Sequence, residues 1–186
     1  MSAEVFKTLI AGPPNSGKTS LIKAYLGGEF ETTYSATIGV MMNVAQLELP
    51  DGKVVLSLVD LGGQQSFRGL GGRFYKGAHH LILVYDVTNR GSLREVAEWY
   101  TNLTEGICMP SENPFGGSLV GNKIDLEDKI AITPEEGKQM ADLLSLDFFL
   151  TSAKTGEGVA EIFINAGSNS RMRAKQAVES FLRPGL

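Results

Sequence analysis

Short apolar runs recur along the chain at residues 5–11, 40–49, 54–60, 81–87, 117–121 and 148–151, rich in Val, Leu, Ile and Phe and bounded by Gly, Pro, Asn and Asp. Runs of that length with those boundaries read as β-strands. Residues 90–106 and 134–146, between later runs, instead repeat their apolar positions at helical spacing. Strand and helix in alternation predict βαβ crossovers and a mostly parallel sheet buried on both faces. Pro50-Asp51-Gly52 is the exception: it separates two runs directly and reads as a tight hairpin turn, so the strands it joins are expected to be antiparallel. The pattern as a whole predicts an α/β domain with a mostly parallel six-stranded sheet and about five flanking helices.

Helix boundaries are legible in places. Thr133-Pro134-Glu135-Glu136 supplies a capping residue, a proline at the first helical position and acids in the first turn. A last helix is expected at 159–182, weakened in its middle by Gly167 and Ser168-Asn169-Ser170. The glycine-rich stretches 29–39 and 61–77 carry few apolar anchors and are expected to be mobile loops. No internal repeat, heptad run or low-complexity linker interrupts the chain, so residues 1–186 are expected to form one domain.

Composition narrows the classes. A chain of 186 residues buries roughly 70% of its unfolded surface without help from disulfides or metals. Cys108 is the only cysteine, which leaves no internal bridge or zinc-type cluster and suits a reducing compartment. His79 and His80 are the only histidines, and at the start of an apolar run they read as strand residues rather than metal ligands. The formal charge of −4 argues against a general nucleic-acid binder and leaves protein partners open. Met1-Ser2-Ala3-Glu4 has neither an apolar signal segment nor the glycine that myristoylation requires, and no run of about 18 apolar residues occurs, so a cytoplasmic protein is expected.

The chemistry concentrates in loops after strands. Gly12-Pro13-Pro14-Asn15-Ser16-Gly17-Lys18-Thr19 fills every fixed position of the G-x-x-x-x-G-K-[ST] phosphate-binding pattern, preceded by a strand-like run and followed by a helical one. Its glycines let successive N–H groups converge on a phosphate, the positive end of the next helix reinforces that cradle, Lys18 adds a point charge, and the Thr19 hydroxyl suits Mg²⁺. Asp60 closes the run 54–60, placed to reach the Mg²⁺ shell. Gly63, three residues on, can offer its N–H to a γ-phosphate, and the Gln64 amide is suited to orienting an attacking water. After another strand, Asn122-Lys123-Ile124-Asp125 provides a carboxylate that can accept from both N1–H and the exocyclic amine of guanine, making Asp125 the specificity residue. Ser152-Ala153-Lys154 follows the next strand, where the Ala153 N–H is expected to meet guanine O6 and the Lys154 stem to cover the ring face. Each short motif alone is compatible with a surface turn. Four in order, each at a strand's carboxyl end, point to a nucleotide site.

With these motifs the sequence resembles the Ras superfamily of small GTPases over essentially its whole length. Thr37-Ile38-Gly39-Val40, Phe74-Tyr75-Lys76-Gly77-Ala78-His79 and Leu83-Val84-Tyr85-Asp86-Val87-Thr88 are most similar to the Rab-like and Ras-like branches. The resemblance implies a P-loop NTPase fold of the small G-domain type and a Mg²⁺-dependent GTP/GDP switch cycle. It implies that Asn15, Ser16, Gly17, Lys18, Thr19, Ser20, Tyr34, Thr37 and Gly63 surround the phosphates. Thr19, Thr37 and Asp60 would hold Mg²⁺, Phe30 would pack edge-on to guanine beside Asn122, Lys123, Asp125, Ser152, Ala153 and Lys154, and Gln64, Lys18 and Gly63 would serve catalysis. An exchange factor, a GTPase-activating protein and effectors are the implied partners.

The chain departs from the family at several points. Pro13-Pro14 puts proline where many relatives carry glycine, which leaves the donors from Asn15 onward but crowds the entry of a partner's arginine finger. Gly62, Gly69, Gly71 and Gly72 enrich switch II in glycine, and Val59 stands where Rab-like members often have tryptophan. With no cysteine after Cys108, prenylation is not expected, and the basic residues Arg171, Arg173, Lys175 and Arg183 read as a solvated helix face. Any visit to membranes is expected to go through a partner or a tail outside this chain. A GTP-binding scaffold with negligible turnover and a nucleoside-kinase-type phosphotransferase are the rival readings, the second opposed by Asn122 to Asp125.

Overall fold

Runs without polar interruption end up deepest. In a computed structural model describing residues 4–30, 36–37, 39–63, 75–105 and 116–182, the chain order is β1 (Glu4–Ala11), α1 (Lys18–Tyr25), β2 (Val40–Leu49), β3 (Gly52–Leu61), β4 (His80–Asp86), α2 (Arg90–Glu105), β5 (Gly116–Asn122), α3 (Pro134–Leu144), β6 (Asp147–Thr151) and α4 (Val159–Leu182). A short 3-10 turn at Glu127–Lys129 precedes α3. The strands form one sheet in the order β2-β3-β1-β4-β5-β6. All pairings are parallel except β2 with β3, whose antiparallel register closes Leu49 against Gly52 around Pro50 and Asp51. Every residue of β4 and β5 is buried, as expected for strands covered on both faces.

Successive side chains point to opposite faces, so each inner strand feeds two cores. Phe6, Ile10, Leu56, Leu58, Ile82 and Val84 pack with Leu21 and Ile22 of α1 and with Ile162 and Phe163 of α4. Leu9, Leu81, Leu83 and Tyr85 pack on the other side with Val96, Trp99 and Leu103 of α2 and Ala141 of α3. Stacking of Tyr25 on Phe163, centroids 4.2 Å apart, joins α1 to α4. α3 carries the expected start: Glu136 N–H donates to Thr133 Oγ1 at 3.3 Å and Thr133 N–H to Glu136 Oε2 at 2.8 Å, a reciprocal capping box.

Four α-helices lie among the described residues, against about five expected; residues 64–74 lie outside them. Several strand ends differ by one or two residues from the apolar runs, because pairing rather than hydropathy sets them: His80 pairs with both Thr8 and Gly116. The polar middle of α4 does not interrupt it. Gly167 lets the helix approach β2 so closely that a Cβ there would lie 2.8 Å from Leu47 Cδ1, Asn169 donates to Asp147 at 2.9 Å, and tertiary packing outweighs propensity. Arg171 is likewise not on a solvated face. It is 4% exposed, pairs with Glu4 at 2.5 Å and with Asp51, and donates to the Gly52 and Lys53 carbonyls at 3.1 and 2.8 Å. Lys175 adds a 2.9 Å contact to Asp51, so α4 holds the turn of the β2–β3 hairpin.

A polar chain crosses the far end of the sheet. Ser118 Oγ donates to Asn165 Oδ1 at 3.0 Å, and Asn165 and Asn169 donate to Asp147. The Ser118 proton is thereby committed, so the ring N–H of His80 at Nε2 donates to Ser118 Oγ at 3.0 Å. His80 Nδ1 is buried with no hydrogen-bond partner. Burial pushes the His80 pKa down to about 4, opposed by Asp147 and reinforced by Arg173. The unfolded chain takes up this proton below about pH 6.5 while the folded one resists it, so stability falls as pH drops toward 4. From pH 7 to pH 5 His80 alone is expected to cost about 2 kcal/mol; urea unfolding of His80→Gln beside wild type checks this, the variant losing correspondingly less over the same interval.

Candidate functional site

The parallel sheet delivers β1, β3, β5 and β6 to one end with their carboxyl termini forward, and the antiparallel β2 begins there. Four loops and the entry to β2 therefore converge where α/β sheets bind ligands. Gly12, Asn15 and Gly17 take positive φ values of 138°, 60° and 93°, curling residues 12–17 back over the start of α1. Gly17 caps α1 with no side-chain hydrogen bond, so the first-turn N–H groups remain available to an anion. Gly17 is also required sterically: a Cβ would lie 2.2 Å from Asn122 Nδ2. Ser20 continues the same helical turn.

Lys18 folds over this loop, 5% exposed, donating to the Gly12 and Pro13 carbonyls at 2.9 and 2.8 Å. Burial lowers its pKa to about 8 and Asp60 opposes the shift. Ser16 Oγ donates to the Pro13 carbonyl at 2.9 Å. Beside the lysine, Thr19 Oγ1 donates to Asp60 Oδ2 at 2.5 Å and lies 2.7 Å from Thr37 Oγ1. Burial raises the Asp60 pKa, against lowering contributions from Thr19 and Lys18. Its second oxygen, Oδ1, is buried with no hydrogen-bond partner. Three hard oxygen side chains from α1, β3 and the segment before β2, one with an uncommitted carboxylate oxygen, fit the donor set of Mg²⁺. Among the described residues no group of three His, Cys, Asp or Glu could hold a metal ion, so these hydroxyls and Asp60 are a candidate of a different type. Gly63 crosses the phosphate loop at close range: a Cβ there would lie 2.5 Å from Pro14 N and 2.6 Å from Pro14 Cα.

The other motifs assemble around Asn122, 1% exposed. Its Nδ2 donates to the Ser16 carbonyl at 2.9 Å, while Oδ1 accepts from Ala153 N–H at 3.1 Å and Thr151 Oγ1 at 3.2 Å. The Ala153 N–H, expected to meet a base oxygen, is thus used to tie β5 to the loop after β6. Ser152 Oγ donates to Asp125 Oδ1 at 2.7 Å and accepts from the N–H groups of Lys154 and Thr155. The Lys154 ammonium stands 3.9 Å from Asp125 Oδ2. Lys123, at φ 75°, reaches back to Asp86 at the end of β4 with its Nζ 2.6 Å from Oδ2. Phe30 is 43% exposed in the segment after α1. Tyr34 and Gln64 lie outside the described residues. Asp86 and Thr151 join these residues without having been singled out in the sequence, where Asp86 lies one position before the end of its apolar run.

Fold and site together define a P-loop nucleotide-binding α/β domain. A family model described as "Ras family" matches residues 7–171. Similar proteins include "Ras-related protein RAB1BV" of Beta vulgaris, 34% identical over 170 residues, covering 91% of this chain and 77% of the relative. "Ras-related protein RabQ" of Dictyostelium discoideum is 37% identical over 157 residues, 84% of this chain and 75% of the relative. "Ras-related protein Rab-8B" of Homo sapiens is 34% identical over 159 residues, 86% and 75% respectively. The chain belongs to the Ras family and is a Rab-like small GTPase.

Because Asn122 serves three partners from a buried position, its loss is expected to leave the Ser16 carbonyl and the Ala153 N–H unpaired. Asn122→Ala should lower unfolding free energy by about 2–3 kcal/mol, measured by denaturant titration without nucleotide.

Proposed function

We propose that this protein is a guanine-nucleotide switch that binds GTP with Mg²⁺, hydrolyses it slowly to GDP and phosphate, and presents effector-binding loops only in the GTP state. The observation that carries this reading is the Asn122 bridge, which holds the phosphate-loop residue Ser16 and the base-loop residue Ala153 on one side chain. A ligand satisfying both loops must carry phosphate at one end and a flat, hydrogen-bonding ring at the other.

In this reading the N–H groups from Asn15 to Ser20 and the Lys18 ammonium meet the β- and γ-phosphates. Their charge is worth most as negative charge develops on the transferring phosphoryl group, in a pocket where Lys18 is already desolvated. Thr19, Thr37 and Asp60 would hold Mg²⁺, whose contribution when bound is to neutralise phosphate-oxygen charge. Gly63 offers its N–H to the γ-phosphate, Gln64 orients water, Tyr34 covers the phosphates and Phe30 packs against the base. Asp125, fixed through Ser152, accepts from the guanine edge while Lys154 lies beside it. Loss of the γ-phosphate releases Thr37 and Gly63 together, which relaxes both switches. An exchange factor, an activating protein and effectors complete the cycle. Signalling or vesicle traffic is the setting suggested by relatives called Rab, and among the described residues no helix is long and apolar enough to cross a membrane.

The contact of Gly63 with Pro14 favours a second reading, a GTP-binding scaffold with negligible turnover, since proline occupies space through which an arginine finger would enter. Single-turnover phosphate release separates the two readings. Measurable hydrolysis that falls at least about tenfold in Gln64→Leu with unchanged nucleotide affinity supports the switch; no release from wild type, alone or with activating proteins, supports the scaffold. Asp125→Asn is expected to shift preference from GTP to xanthosine triphosphate in a competition assay, because the new amide oxygen still accepts from N1–H while its NH2 faces the exocyclic amine of guanine, where xanthine offers a carbonyl. Retained GTP preference would overturn the base assignment.

A further inference from the structure

Lys123 and Asp86 form a pair that the nucleotide-binding roles above leave unexplained. Asp86 is 7% exposed at the end of β4. Its Oδ1 accepts from Thr88 N–H at 2.9 Å and Thr88 Oγ1 at 2.7 Å, and its Oδ2 takes the Lys123 ammonium at 2.6 Å. Both carboxylate oxygens are engaged, so Asp86 has little left to offer a ligand. The next strand is locked alongside: Asp86 pairs in register with Asn122, and Val87 N–H donates to the Asn122 carbonyl at 3.0 Å. Lys123 leaves β5 in the left-handed backbone region, a conformation that L residues other than Asn and Asp adopt at a cost. That cost is sustained where surrounding contacts over-determine the geometry, and here the contact on the side chain is the Asp86 carboxylate.

We propose that Asp86 is a positioning residue for the base end of the site: it holds Lys123 in a single extended rotamer between β4 and β5, so that the loop ending in Asp125 meets the purine already ordered. The proposal rests on the guanine-nucleotide reading. A free lysine carries several rotamers that would have to be frozen when the nucleotide arrives; a paired one does not, and the saving appears as slower release. The pair is part-buried, 23% and 10% exposed at the two side chains, so it is less screened than surface pairs.

A double-mutant cycle on the full chain tests this, reading release of a fluorescent GDP analogue chased by excess GDP in Mg²⁺. Asp86→Asn is expected to release about tenfold faster than wild type, and Lys123→Met comparably, since either change removes the same ion pair. The double variant should release no faster than Lys123→Met alone, because Asp86 acts only through Lys123. An effect of Asp86 that bypasses Lys123 would instead give additive effects. Wild-type release in Asp86→Asn, or additivity in the double variant, overturns the proposal. Should Asp86→Asn fail to fold, Lys123→Met and Asp86→Glu decide: wild-type release in the first, or rapid release in the second despite its retained carboxylate, overturns it. A wild-type protein that retains no guanine nucleotide defeats the underlying reading rather than the pairing.

Discussion

Loops arriving from β1, β5 and β6 meet on one carboxamide, that of Asn122, and the arrangement of the site follows from how that group is used. An amide with a donor face and an acceptor face can satisfy two backbone groups of opposite polarity while buried, and here the donor side takes Ser16 and the acceptor side takes Ala153 and Thr151. Gly17 must be glycine because the amide sits where a side chain would begin. A shape-matched apolar residue would satisfy none of these groups, and a carboxylate would face the Ser16 carbonyl with no proton to give. The loop after β1 and the loop after β6 are therefore mechanically one unit, although they lie far apart in sequence.

The polar groups nearest that unit are held under tension of a chemical kind. Lys18 and Asp60 are both desolvated, each is pulled toward its neutral form by burial, and each is kept charged in part by the other. Lys18 spends its donors on backbone carbonyls of its own loop, contacts that an anionic ligand can replace with stronger ones. The bare Asp60 oxygen is the matching deficit on the acid side. Such paired deficits are costly in an apolar core and are found where a charged ligand is to be accommodated.

Much of this was legible beforehand because the chemistry sits at strand ends and strand ends are marked by the termination of apolar runs. The six strands, the hairpin at Pro50-Asp51 and the capping box at Thr133 all rest on local signals that the structure repeats. What escaped depended on partners distant in sequence. Gly167 and the serines around it look like a helix breaker until β2 is seen lying against Gly167, and Arg171 looks like a surface cation until Glu4 and Asp51 are brought to it. Ala153 illustrates the subtler case: the motif puts it in the loop after β6, but that its N–H donates to the Asn122 carboxamide depends on the neighbouring strand.

The hairpin of β2 and β3 is fastened at its turn by Arg171 and Lys175, and β3 is further laced to β1 along nearly its whole length. Among the described residues β2 has no strand neighbour on its outer side. It is an edge strand held along one side only, and that support reaches its first residue: Val40 lies opposite Leu61, and the Gly62 N–H donates to the Gly39 carbonyl at 3.0 Å. Val40 comes three residues after Thr37, and Met41 lies opposite Asp60, so one pair of strands sets the spacing between the threonine hydroxyl and the carboxylate.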